Sequence, residues 1–137
     1  MGGDAFCRMI LARGRGANEV GAQKLDADSA YDHYASIFAG DDAIQGSCAD
    51  YADGAQPECE EQEKEQAAGT KVRVPLLVMY SEGSLAKMND VEAIWPKWVE
   101  GGKVDFVGVG DGHGHYLPES ADELVAAEVI NFVKKHA

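Results

Sequence analysis

The sequence predicts an α/β fold in which two parallel strands with their helices follow a run of helices. Three observations predict it. "VRVPLLVMY" (72–80) is nearly continuous in apolar residues, the mark of a strand buried on both faces. "KVDFVGV" (103–109) is a second such run. Between them and after them stand stretches with helical signals, giving β-α-β-α, which implies parallel strands joined by a crossover. Residues 1–70 read as helices only. Two parallel strands make no stable sheet by themselves, so the pattern predicts the tail of a larger sheet.

Taken in order, "GDAFCRMILARG" (3–14) carries Phe6, Met9 and Ile10 at helical spacing and stops at Gly14. "RGRGANEVGAQ" (13–23) is glycine-rich and reads as a loop. "DADSAYDHYASIFAG" (26–40) opens on an Asp/Ser cap and repeats Tyr31, Tyr34, Ile37 and Phe38 on one helical face, ending at Gly40. Residues 41–69 read as two helical pieces broken around Gly54 and Pro57. The "CEEQEKEQ" part is almost wholly polar and reads as a solvated face.

After the first strand, "SEGSLAKM" reads as a loop and 89–102 as a helix, capped by Asn89 or Asp90 and interrupted by Pro96. "GDGHGHYLPES" (110–120) reads as a loop between the second strand and a last helix. That helix opens on a Ser120/Glu123 capping box and shows Leu124, Ala127, Val129, Ile130 and Val133 as its apolar face.

Charge and composition exclude several classes. The formal net charge of −12 repels nucleic acid and anionic membrane. No apolar run is long enough to span a bilayer, and the first residues lack the apolar region of a signal peptide. Cys7, Cys48 and Cys59 are odd in number and widely spaced, as expected of reduced cytoplasmic thiols. No metal is expected, because Cys48 and Cys59 have no paired ligands at suitable spacing.

The loop at 110–120 is where chemistry is expected. In open α/β sheets the loops past the carboxyl ends of strands carry the reacting groups. Gly110, Gly112 and Gly114 let the backbone bend around His113 and His115. A neutral imidazole there suits a general base. A loop histidine that only bonds the backbone is the plainer alternative, and spacing does not rank His113 against His115.

"VRVPLLVMY", "DFVGVGDGHGHYLPE" and the closing helix resemble the last two strands and helices of the α/β-hydrolase superfamily. With "YDHYASIF", "SCADYADGA", "IWPKW" and "GHYLPES" added, the chain resembles the fluoroacetate and other haloacetate dehalogenases. The resemblance implies a partial α/β-hydrolase fold, its last two parallel strands preceded by part of an all-helical cap. Residues 1–70 would be the partial cap and 71–137 the C-terminal part of the core. It implies no cofactor. In that family an Asp nucleophile displaces halide from the carbon beside a carboxylate, and a His then activates water against the ester. Within "GHY" the base maps to His115. Within "CADY" the halide-binding tyrosine maps to Tyr51, whose O–H can donate to an anion.

Several family features have no counterpart in these residues. No "HDRG"-type nucleophile elbow is present, nor the triad acid, and Ala52 stands where the family has Arg. Glu82, Asp90 and Asp111 are weak substitutes for the acid. Ser47 and Ser84 lack an elbow context. The expectation is therefore a truncated hydrolase, inactive by itself, whose complete form takes a small halo acid. Two alternatives remain open. One is an epoxide-hydrolase-like enzyme using two of Tyr31, Tyr34 and Tyr51. The other is a non-catalytic remnant or subunit whose exposed sheet edge joins a second copy or a partner chain.

Overall fold

The polar 41–69 segment divides where its composition says it should. In the computed structural model, which describes residues 2–137, helix α4 runs Asp41–Ala55 and α5 runs Pro57–Ala67. Pro57 begins the second helix because its missing N–H costs nothing there. Preceding them are α1 (Gly3–Gly14), α2 (Glu19–Leu25) and α3 (Ala30–Ile37). Strand β1 is Leu77–Ser81, followed by the short helices α6 (Leu85–Met88) and α7 (Val91–Ile94). Strand β2 is Asp105–Val109, and α8 (Leu117–Ser120) and α9 (Asp122–His136) close the chain.

The strands pair in parallel, with Leu77 opposite Asp105 and Ser81 opposite Val109. They form a two-stranded sheet. Among the described residues the outer edge of each strand is therefore unpaired.

The chain divides into two compact units. One comprises residues 1–12 and 29–71, the other 13–28 and 72–137. In the first, Gly3 packs against the carbonyl of Phe38 and the side chain of Ile44, and Phe6 meets Phe38 with ring centroids 6.5 Å apart. Arg8 pairs with Asp32. In the second unit, Val109, Leu117 and Ala121 form the core, joined by half-buried Met79, Val107 and Val125. Leu25, fully buried, anchors α2, which packs on α8.

Several expectations are corrected. The loop predicted over 13–23 contains most of α2, because the Asn18 side chain accepts from Gly21 N at 2.7 Å and starts a helix. The helix predicted over 26–40 begins only at Ala30. Asp28 and Ser29 take left-handed backbone (φ 54° and 61°), and Ser29 makes no capping bond. The 72–80 run becomes a strand only at Leu77, since Pro75 has no N–H to give a ladder. Upstream of it, Val72 makes an isolated parallel bridge with Val99. Leu77, Met79 and Tyr80 are only half-buried.

The helix predicted over 89–102 is broken into α7 and two 3₁₀ turns, Trp95–Lys97 and Glu100–Gly102, because Pro96 removes a donor. Asp90 does cap α7, accepting from Ala93 N at 3.1 Å. Ser120 does not cap the last helix. Pro118 starts a separate turn at Leu117, Ser120 ends it, and α9 begins at Asp122 without a side-chain cap. The face of α9 turned to the core is Val125's, whereas Leu124, Val129, Ile130 and Val133 are exposed.

Candidate functional site

The loop after β2 is bound to a segment almost a hundred residues away in sequence. Gly112 O accepts from Ala17 N (2.7 Å) and Asn18 N (3.0 Å). Asn18 Nδ2 donates to Asp111 O at 3.0 Å. His115 N donates to Gly14 O at 2.7 Å, and Gly16 forms an antiparallel bridge with His113. From the sheet side, buried Ser81 at the end of β1 donates its Oγ proton to His113 O at 2.6 Å.

Glycine is required at this crossing. Gly16 and Gly112 have φ near +80°, a region other residues rarely adopt. A Cβ on Gly16 would collide with Gly112 and Gly114, and one on Gly114 with Gly14, Arg15 and Gly16.

The two histidines have different surroundings. His113 is half-buried, with Nδ1 3.3 Å from Ser120 Oγ and its ring against the α-carbon of Gly21. The serine predicted as a helix cap is thus a partner of His113 instead. His115 is exposed, its backbone fixed by Gly14 and its ring edge-on to Tyr116, with centroids 5.2 Å apart and planes at 80°. Among the described residues its ring makes no hydrogen bond to a carboxylate.

The substitute acids have other work. Asp90 caps α7. The Glu82 carboxylate lies over the α-carbons of Gly108 and Gly110. Asp111 has left-handed backbone and offers its carbonyl to Asn18. Near the carboxyl end of β1, Tyr80 donates to Glu92 at 2.9 Å, and that carboxylate raises the phenol's pKa.

Tyr51 lies in the first unit, on α4, and is 75% exposed. It lines a largely apolar cavity of about 400 Å³ with Phe6, Phe38, Ile44, Ser47 and Cys48. Tyr31 and Tyr34 are half-buried on α3. The cysteines are free, and among the described residues no group of His, Cys, Asp or Glu is arranged to hold a metal. No helix of the described residues is long and apolar enough to cross a membrane.

Sequence reasoning missed Gly14, Gly16, Asn18, Ser81 and Tyr116 as parts of this site. For Asn18 a signal existed, since Asn followed by Glu and an apolar residue is a helix start. Contacts such as Asn18 with Asp111, 93 positions apart, leave no local trace.

No protein-family model matches the chain. Solved structures do. A protein from Salmonella enterica assigned as an acyltransferase superposes with a TM-score of 0.79 at 16% identity, over 98% of this chain and 41% of its own. A mutant of a Pseudomonas aeruginosa protein assigned as an epoxide hydrolase, with bound MFA, superposes with a TM-score of 0.77 at 22% identity, over 97% of this chain and 42% of its own. The chain thus has an α/β-hydrolase-like fold and spans about two fifths of the length of these neighbours.

Proposed function

We propose that this chain is the base-bearing part of an α/β-hydrolase, with His115 as the general base. The observation that carries this is the setting of His115. Its ring is open to solvent at the carboxyl end of β2, while its backbone is tied to Gly14 and its loop to Ser81 and Asn18. A base must reach its proton yet be held in place, and this loop supplies both conditions.

The finer reading follows the resemblance to haloacetate dehalogenases. The substrate is a small 2-halo acid. An Asp carboxylate displaces halide from the carbon beside the substrate carboxylate, and His115 then draws a proton from the water that cleaves the ester. Tyr51 binds the departing halide through a hydrogen bond from its phenol O–H. The nucleophile and its orienting acid come from polypeptide outside these 137 residues, and the unpaired sheet edges support further strands joining there.

Epoxide hydrolysis is the second reading, favoured by the Pseudomonas neighbour. Turnover of styrene oxide without turnover of fluoroacetate selects it. For the first reading, the complete enzyme releases fluoride from fluoroacetate, and the 137 residues by themselves release none. No fluoride release by the complete enzyme contradicts the first reading, and fluoride release by the 137-residue chain alone contradicts the placing of the nucleophile in other polypeptide.

A further inference from the structure

The geometry points to Tyr116 as the positioning residue for the His115 imidazole, seated by the bare α-carbon of Gly14. This rests on His115 being the base, but it concerns the placement of the ring.

Two contacts converge on one glycine. The His115 amide donates to Gly14 O at 2.7 Å, which fixes where the side chain leaves the backbone. The Tyr116 ring lies directly over Gly14. A Cβ there would stand 2.6 Å from its Cε2, 3.0 Å from Cζ and 3.1 Å from the hydroxyl oxygen. Only glycine leaves room for the phenol at this depth.

With its own place set, the Tyr116 ring meets the His115 ring at 80° and 5.2 Å, the edge-to-face arrangement that aromatic groups prefer. The His115 ring makes no hydrogen bond among the described residues, so this contact is what orients it. Tyr116 is therefore not a catalytic residue. It restricts the rotamers of one.

Ring C–H resonances of the four histidines test this in the purified chain, with His115 identified by its loss in His115→Gln. The phenol's ring current displaces the His115 signals in the parent. Tyr116→Phe keeps that displacement, because the ring remains. Tyr116→Leu abolishes it and brings the signals to the position of a free imidazole. His115 signals unmoved by Tyr116→Leu, or moved as far by Tyr116→Phe, overturn the proposal. Where near-ultraviolet circular dichroism shows that Tyr116→Leu has not folded, Gly14→Ala takes its place. That variant pushes the phenol away and shifts the His115 signals, and unchanged signals again overturn the proposal. The readout needs no turnover, so a failure of His115 as base leaves this result standing on its own.

Discussion

Gly16 and Gly114 meet backbone to backbone. The carbonyl of Gly14 and the amide of Gly16 face the Gly114 α-carbon, and no side chain fits between the two strands of chain. Through this crossing the 13–18 segment and the histidine loop become one structural piece. Gly114→Ala forces them apart. The expected cost is about 1–3 kcal/mol, the usual range for overpacking a tight site. Urea denaturation with an unchanged m-value measures it.

Ser81 is 4% exposed and its hydroxyl reaches His113 O. Ser81→Ala leaves a carbonyl short of a partner, at a cost of about 1–3 kcal/mol. Thermal unfolding reports the loss. The His113 loop also exchanges its amide hydrogens faster, because β1 no longer holds it.

Leu25 is fully buried on α2. Leu25→Ala leaves a cavity and costs about 2–5 kcal/mol. Since α2 packs on α8 and follows directly from Asn18, the loss reaches the loop. Protease cleavage in the 13–28 segment is the measurement, expected faster in the variant than in the parent.

Lys24 on α2 binds Asp122 at the start of α9, which also ties the 13–28 segment down. The Lys24 hydrogen bond holds the Asp122 carboxyl below its ordinary 3.8, and Lys135, then His136, do the same to Asp105. For these carboxylates the folded pKa is depressed. Their contribution is present above 3.8 and is lost as pH falls through the lower folded value. Lys24 is shifted upward by Asp122, so its side of the pair is present below 10.5 and lost as pH rises past the folded value. Melting temperature followed from about pH 5 down to about pH 2 is expected to fall less steeply in Asp122→Asn than in the parent.

What could be read in the sequence was what local chemistry decides. Pro57 and its neighbours announced the α4/α5 break, and the apolar run ending at Val109 announced β2 and the loop beyond it. The place of His115 after that strand followed directly. Ser120 misled because its spacing to Glu123 fits a capping box, while Pro118 had already opened a turn and His113 took the hydroxyl. In α9, Leu124, Val125, Val129, Ile130 and Val133 offer apolar surface on more than one side, and periodicity does not say which side meets β-strand residues. The Gly14–Asn18 clamp was invisible because its partners lie near residue 112, and only the folded chain brings them together.

The central claim is that His115 is a hydrolytic base. This proposal is tested most directly by joining the chain, as a complex or a fusion, to a polypeptide that bears an Asp elbow. Fluoride release from fluoroacetate is followed for the parent and for His115→Asn, with intact mass of the protein after the reaction. The parent turns over repeatedly. His115→Asn is predicted to release one fluoride per site and stop, with the substrate's carboxymethyl group still esterified to the Asp. Sustained turnover by His115→Asn at the parent rate, with no ester on the protein, contradicts the claim.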